Sequence, residues 1–221
     1  MDSMTEIFIR VGIFNREILM IKEPGGKLQN INNDMVKLLH TQLKEEAIEY
    51  QESVNDGNLV DQVDALIDSI YFTLGGLYRH GVTTQGAIIL VDTFYGDDKP
   101  LDISMYEHLS HGALPVDSSI ICGDLVSSAD LYRNMSTRDA TVTATGYLIQ
   151  SLEVAMLGLI SLNIDESTFV KLFCIIHEAN MTKAKGKVAS RPGFESPDAC
   201  KPDNWVGPEA KMREVLDGLS K

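Results

Sequence analysis

The sequence predicts an all-α protein, an antiparallel helical bundle. Apolar residues recur at helical spacing over long segments on both sides of an irregular middle region. Turn signals rich in Asn, Asp and Gly separate these segments. Two neighbouring segments also carry acidic faces that can converge when the two helices lie antiparallel. We therefore expect one domain over residues 1–221.

The composition is that of an ordinary soluble globular domain, with 221 residues, 44% hydrophobic and 23% charged. The net charge of -13 argues against partners such as a nucleic-acid polymer or an anionic membrane, since both bind basic patches. A small phosphorylated substrate remains compatible if metal ions bring the positive charge.

The three cysteines are odd in number and lack metal-ligand spacing, which fits a reducing, cytoplasmic location. The N-terminus has no basic region leading into an apolar stretch. The longest apolar runs, such as residues 154–160, are too short to span a bilayer.

The N-terminal segment predicts a helix over residues 5–21, ending at Pro24-Gly25-Gly26. Ser3 and Glu6 have the spacing of a capping box. A second helix, capped by Asn33 or Asp34, is predicted to run to about residue 51. A third is predicted from about residue 59 to 80, ending at Gly81.

Residues 84 to about 140 show no sustained period, and we expect an irregular insertion there. Helical patterning returns over residues 143–162. A turn with Asp165 as cap then leads into a helix over residues 166–181. Residues 184–221, rich in Gly, Pro and Lys, are expected to form an extended tail.

Eight carboxylates lie between Lys44 and Arg79 with no Lys or Arg among them. They are Glu45, Glu46, Glu49, Glu52, Asp56, Asp61, Asp64 and Asp68. Converging unpaired carboxylates repel one another and are costly to desolvate, so an all-oxygen site for a hard divalent cation is indicated.

On the second helix, Glu46 falls at the centre of the apolar face, and Glu49 and Gln42 lie on the same stripe. Buried acids are rare unless they are paired or metal-bound. A solvated charge run is the alternative, and it suits Glu52 and Glu45 better.

On the third helix, Asp64 and Asp68 lie four residues apart, on a face shared with Tyr71, Phe72 and Gly75. Like charges at this spacing destabilise a helix unless a cation bridges them. The alternative is an exposed face of the bundle. Two acids from each of two antiparallel helices form an oxygen site suited to Mg²⁺.

These residues resemble the all-α nucleoside triphosphate pyrophosphohydrolases, the MazG-like and phosphoribosyl-ATP pyrophosphohydrolase-like superfamily. Its pattern is EExxE on one helix and an acidic-x-x-x-Asp on the next. The matching pieces are Glu45-Glu46-Ala47-Ile48-Glu49, Asp64-Ala65-Leu66-Ile67-Asp68, Phe14-Asn15-Arg16-Glu17, His177-Glu178-Ala179-Asn180-Met181-Thr182-Lys183 and Lys201-Pro202-Asp203-Asn204-Trp205.

The resemblance implies that Glu46, Glu49, Asp64 and Asp68 bind Mg²⁺, with Mn²⁺ as a possible substitute. It implies that Glu45 and Glu46 are catalytic, Glu45 being a further ligand or the base that orients water. Many relatives have an acid at the position of Ala65, and the insertion is unmatched. The resemblance also implies a homodimer or homotetramer.

The substrate side of the site is expected from Asn180, Lys183, Lys201 and Trp205. Lysines near a helix end bring positive charge to phosphate oxygens. For Lys185 and Lys187, in the same stretch, complementing the helix dipole is the favoured alternative. Trp205 is expected either to stack on a base or to anchor the tail. We interpret His80 and His177 as structural.

The predicted function is Mg²⁺-dependent hydrolysis of a ribo- or deoxynucleoside triphosphate to the monophosphate and pyrophosphate, for cleaning or tailoring the nucleotide pool. The rival enzyme is a phosphoribosyl-ATP pyrophosphohydrolase. A rival from another class is a non-catalytic regulatory or assembly module with a structural metal site. Release of pyrophosphate distinguishes these classes.

Overall fold

The computed structural model describes residues 3–83, 116–184, 193–195 and 198–219. These residues form seven helices and no strand, so the all-α prediction is confirmed. The helices are α1 (Ser3–Glu17), α2 (Asn33–Asp56), α3 (Leu59–Arg79), α4 (Ser118–Ser136), α5 (Thr141–Ser161), α6 (Glu166–Met181) and α7 (Glu209–Leu219).

A tight turn makes α2 and α3 antiparallel neighbours. Gly57 ends α2 in the left-handed conformation, with a φ of 67°, and the side chain of Asn58 caps α3. At the other end, the Asn32 side chain accepts a hydrogen bond from the Met35 amide at 2.7 Å. The cap therefore precedes the predicted Asn33 or Asp34, and α2 continues past residue 51 to Asp56.

Helix α1 is shorter than the predicted helix over residues 5–21. It ends at Glu17, and Met20 follows with a φ of 57°. The carboxylate of Glu6 accepts a 2.6 Å hydrogen bond from Arg10 one turn later. The Ser3 side chain of the predicted capping box lies outside the described part of the structure. Helix α1 packs against α3 and α6.

The region expected to be an irregular insertion, residues 84–140, contains helix α4, so that part of the prediction is wrong. Asp117 caps the helix, and α4 packs against α2 and α5. Its buried residues follow helical spacing among small polar residues: Ile121, Leu125, Ser128, Ala129 and Tyr132. The rest of the predicted insertion, residues 84–115, lies outside the described residues.

Glycines let the central helices approach closely. A Cβ atom at Gly76 of α3 would lie 2.5 Å from Leu39 Cδ2 and 3.1 Å from Leu148 Cδ1. Helix α3 is thereby held between α2 and α5, and this fixes the direction of the face that carries Asp64 and Asp68. Helix α5 is long and apolar enough to cross a membrane, but 61% of its apolar window is buried inside the bundle.

The end of the chain also differs from the expected extended tail over residues 184–221. Helix α7 begins after Pro208, buries Met212 and Leu216, and packs against α3 and α6. Earlier in the chain, the predicted cap is confirmed: Asp165 accepts a hydrogen bond from the Thr168 amide at 2.7 Å and begins α6.

Candidate active site

A cavity of about 610 Å³, hereafter the central cavity, lies where α1, α2, α3 and the end of α6 meet residues 198–201. It brings together most of the residues selected from the sequence. Its lining comprises Phe14, Asn15, Leu19, Gln42, Glu46, Glu49, Asp64, Asp68, Tyr71, Phe72, Gly75, Arg79, Asn180, Lys183, Asp198, Ala199, Cys200 and Lys201.

The four predicted metal ligands all line this cavity. Glu46 and Glu49 lie three residues apart on α2, and Asp64 and Asp68 lie four apart on the antiparallel α3. Spacings of three and four residues place each pair on one helix face. Glu46 is only 7% exposed, as the helical wheel predicted for an acid centred on the apolar stripe.

Burial raises the pKa of each of these carboxyls, and repulsion from the neighbouring acids adds to it for Glu46, Glu49 and Asp64. Desolvation is the largest cause for Asp64, whose pKa rises to about 8, and the negative charge of Asp68 adds to it. Desolvation followed by the charge of Asp68 likewise raises the pKa of Glu46 and of Glu49. For Asp68 itself, burial raises the pKa, while Lys183 and Lys201 lower it.

The donor set fits a hard divalent cation. Among the described residues, Asp64 Oδ1 is buried and has no hydrogen-bond partner, which is costly for a carboxylate unless a cation or a proton satisfies it. In the part of the chain that is described, no three acidic, His or Cys side chains form a ready-made chelating group.

Two lysines face the acids from the C-terminal part of the chain. Ala184 and Cys200 form an isolated antiparallel bridge, closed by a 2.7 Å hydrogen bond from the Ala184 amide to the Cys200 carbonyl. Lys183 and Lys201 flank this bridge and are therefore directly opposite each other on one face. Burial lowers the pKa of Lys183, and the charge of Asp68 opposes that shift.

Trp205 does not line the central cavity, although the sequence suggested that it could stack on a base. Its indole N–H donates to the Ala179 carbonyl at 3.1 Å. The ammonium groups of Lys201 and Lys183 lie 4.4 and 5.6 Å from the ring centre. The ring therefore supports both lysines and anchors the tail to α6, which is the other role expected for it.

The remaining predicted residues take different places. Asn180 is buried in the last turn of α6 and lines the cavity. Glu45 is partly buried and is not among the lining residues, although its charge raises the pKa of Glu46 and Glu49. Lys185 and Lys187 lie outside the described residues.

The two histidines have structural contacts. The Nδ1 atom of His177 lies 3.0 Å from the Tyr71 hydroxyl, and burial lowers the pKa of His177 to about 4. His80 bonds the Gln29 carbonyl at 2.9 Å and the Tyr132 hydroxyl at 3.2 Å. Both rings are neutral near pH 7 and help to join helices.

Sequence reasoning assigned no role in the site to several polar residues of the cavity wall, among them Asp198. Three others are deeply buried: Asn15, Gln42 and Arg79. Each is at least nine-tenths buried, with exposed fractions of 2%, 2% and 8%. Arg79 shares a helix face with Asp64 and Asp68, so the periodicity that placed the acids could also have placed this guanidinium in the site.

A helical bundle whose antiparallel helices present paired acids opposite lysines is arranged for metal-assisted chemistry on a phosphorylated compound. Comparison with known families makes the class more specific. Residues 23–92 match the model of the family described as phosphoribosyl-ATP pyrophosphohydrolase. That family lies within the MazG-like all-α nucleoside triphosphate pyrophosphohydrolase superfamily, so the resemblance is confirmed for the matched residues, which include both acidic motifs. The resembling pieces at residues 14–17, 177–183 and 201–205 lie outside the match.

No curated protein and no solved structure shows a significant match to the chain. The family match supports a pyrophosphohydrolase acting on a nucleotide-like substrate. Pyrophosphohydrolases of this superfamily typically use divalent metal ions.

Proposed function

We propose that the protein hydrolyses a ribo- or deoxynucleoside triphosphate to the nucleoside monophosphate and pyrophosphate, with Mg²⁺ as cofactor. One observation carries the proposal: four carboxylates from α2 and α3 share the central cavity with Lys183, Lys201 and Asn180. This combination supplies oxygen ligands for a cation and donors for phosphate oxygens in one cavity that is open to solvent at Glu49 and Lys201.

In the proposed reaction, the oxygen of water bonds to the α-phosphorus, and the bond to the oxygen that bridges to the β-phosphorus breaks. Glu46, Glu49, Asp64 and Asp68 would hold the cation. Bound there, Mg²⁺ lowers the pKa of water and offsets charge on the departing pyrophosphate.

The chain's own side chains do the positioning. Lys183 and Lys201, which pair with each other on one face next to the Ala184–Cys200 bridge, donate to phosphate oxygens. Asn180 supplies a neutral amide on the same wall. Glu46, buried in the cavity wall, orients the attacking water. The negative charge of Glu45 raises the pKa of Glu46.

The family match favours a second candidate substrate, phosphoribosyl-ATP. Its hydrolysis also breaks the bond between the α- and β-phosphates and also releases pyrophosphate. Only substrate comparison separates the two candidates, because the carboxylates and lysines would serve both in the same way.

The experiment is a panel of ribo- and deoxynucleoside triphosphates and phosphoribosyl-ATP, incubated with purified protein and Mg²⁺ and then quenched for chromatography. We expect monophosphate and pyrophosphate in equal amounts, and no product with EDTA. Diphosphate with orthophosphate would contradict attack at the α-phosphorus. No product from any nucleotide would leave the non-catalytic module as the better account.

We further propose a homodimer or homotetramer in the cytoplasm, with no nucleic-acid polymer or membrane as partner. The odd number of cysteines and their spacing along the sequence suit a reducing compartment. Light scattering of the purified protein tests the oligomeric state, and a monomeric mass at micromolar concentration would contradict it.

A further inference from the structure

One face of α3 runs the whole length of the central cavity. Asp64, Asp68, Phe72, Gly75 and Arg79 succeed one another on this face at helical spacing, and all line the cavity. At 1.5 Å rise per residue, the Cα atom of Arg79 lies about 16 Å beyond that of Asp68. The cavity therefore has an acidic end and, far along the same helix, an end marked by a guanidinium.

Arg79 has uncharged hydrogen-bond partners, and the negative charge of Asp198, another cavity residue, acts on the guanidinium and partly offsets its burial. Its Nε–H donates to Asn15 Oδ1 at 3.2 Å, and an Nη1–H lies 3.1 Å from Met35 Sδ. Asn15 is in turn fixed by a 2.9 Å hydrogen bond from its amide nitrogen to the Val11 carbonyl. These contacts to Arg79 use two of the five N–H groups of a guanidinium, which is donor-only and rigidly planar.

Burial of this cation is costly. Desolvation lowers the pKa of Arg79 to about 10, so the fold places a charged donor in the cavity wall at the expense of hydration. A ligand with hydrogen-bond acceptors at this end of the cavity would offset that cost. The group that a guanidinium pairs with best is planar and offers two neighbouring acceptors.

The wall between the two ends suits a flat, apolar ring. Phe14, Leu19 and Phe72 line this stretch. Gly75 lacks the Cβ that would otherwise extend to 3.3 Å from Asn15 Nδ2, so α3 presents bare backbone there. A nucleotide with its phosphates at the lysines would extend its base along this stretch toward Arg79.

We propose that Arg79 reads the base of the substrate and selects 6-oxopurine nucleotides, guanine or hypoxanthine, over nucleotides of adenine, uracil and thymine. The inference rests on the proposed function for its orientation of the nucleotide. Carbonyl O6 and ring nitrogen N7 of a 6-oxopurine are adjacent acceptors that match a guanidinium with two parallel hydrogen bonds.

Adenine fails this match because its 6-amino group places a donor beside N7, against a side chain that can only donate. Uracil and thymine offer the O4 acceptor without a neighbouring ring acceptor, so they form half of the pair. A guanidinium pairing of this kind discriminates by about 5- to 150-fold against the wrong base.

The first test uses the unaltered protein. Values of kcat/KM would be measured for GTP, ITP, ATP, UTP and 7-deazaguanosine triphosphate, which has a carbon in place of N7. We expect GTP and ITP to be similar, with ATP, UTP and the 7-deaza compound lower by about 5-fold or more. Equal values for ATP and GTP, or a preference for UTP, would overturn the assignment.

The second test compares Arg79→Gln with Arg133→Gln, a matched change at an exposed arginine of α4. Arg79→Gln should remove most of the GTP-over-ATP ratio, whereas Arg133→Gln should keep it. A purely structural Arg79 would lower kcat/KM for every nucleotide by the same factor, and that result would refute base reading. If Arg79→Gln does not fold, the 7-deaza comparison decides alone.

Binding separates this inference from the proposed reaction. Thermal shifts with non-hydrolysable α,β-methylene analogues of GTP and ATP report base preference without turnover. Preferential stabilisation by the GTP analogue with no hydrolysis of any nucleotide would uphold base reading and reject the proposed function. Hydrolysis of all nucleotides at one rate, with equal thermal shifts for the two analogues, would uphold the proposed function and reject base reading.

Discussion

The Lys201 ammonium lies 4.4 Å from the centre of the Trp205 ring, four residues further along the chain. A cation over an aromatic face is stabilised by the ring's negative charge density. Trp205 is itself fixed to α6 by its bond to Ala179. The position of the lysines in the central cavity thus depends on a residue that lies outside it.

Replacing this ring should therefore affect phosphate binding rather than base choice. We expect Trp205→Ala to raise KM for every nucleotide by a similar factor, about 10-fold, because two cation–π contacts are lost. Trp205→Phe, which keeps a ring, should have a smaller effect. A change in base preference with KM otherwise unchanged would instead support stacking of the base on Trp205.

Replacing any one of the predicted metal ligands should abolish nucleotide hydrolysis and leave the fold intact. Glu46→Gln, Glu49→Gln and Asp68→Asn keep side-chain volume while deleting a negative oxygen ligand, so pyrophosphate release should fall below detection. Circular dichroism should show unchanged helix content. Glu52→Gln, a matched change at an exposed position of α2, is the control. Activity within a few-fold of the parent in the three variants would contradict their role.

The metal-free protein should lose stability as pH rises from about 6.5 to 8.5. The pKa of Asp64 is raised to about 8 in the folded state, so the folded protein keeps a proton that the unfolded chain has released. Raising the pH then favours unfolding. His177, with a pKa lowered to about 4, opposes this trend only below its unfolded pKa of about 6.5.

Melting temperatures in EDTA across this pH range check the slope. Asp64→Asn, which cannot titrate, should flatten it, and Mg²⁺ should offset it because the ion binds deprotonated carboxylates. A melting temperature that rises with pH in EDTA would show that the buried acids are ionised and satisfied by other groups.

Binding of a metal ion and removal of the acidic charges should each stabilise the bundle, by separate routes. Binding to the folded state adds about 2.7 kcal/mol when the ion is at 100 times its dissociation constant, a shift of several degrees. Asp64→Asn with Asp68→Asn should raise the melting temperature in EDTA by removing repulsion and buried charge, and should abolish the response to metal. A lower melting temperature for the double variant in EDTA would identify the acids as structural partners.

Close packing at Gly76 should make it intolerant of a side chain. Gly76→Ala places a methyl group 2.5 Å from Leu39 Cδ2, and we expect a loss of about 1–3 kcal/mol in the free energy of unfolding. Gly123→Ala, with no atom within 4 Å of its new Cβ, should instead stabilise α4 by up to about 1 kcal/mol. Urea denaturation measures both. Equal effects would mean that the helix contact adapts freely.

The elements that sequence reasoning predicted best are those with strong local signals. Helices α2 and α3 have long apolar stripes and a Gly-Asn turn, and a strict helical period placed Glu46 and Asp68 on inward faces before any contact was known. Their convergence follows from the antiparallel turn. The cavity that contains them, by contrast, also depends on contacts between residues far apart in sequence.

Helix α4 was missed because its apolar face is sparse. Ile121, Leu125, Ala129 and Tyr132 do follow helical spacing, but the intervening Gly, Ser and Asp residues gave the segment the composition of a loop. Packing against α2 and α5 stabilises it. Helix α7 was missed similarly, although Pro208 just before it is a common start signal.

The single bridge between Ala184 and Cys200 fixes the register of the two backbones that carry the lysines. Because side chains alternate along paired backbones, a slip of one residue on either side would turn one lysine away from the acids and toward the opposite face. A shift of register by one residue should therefore leave only one of the two lysines facing the central cavity, and the proposed triphosphate substrate would lose one of its two lysine contacts.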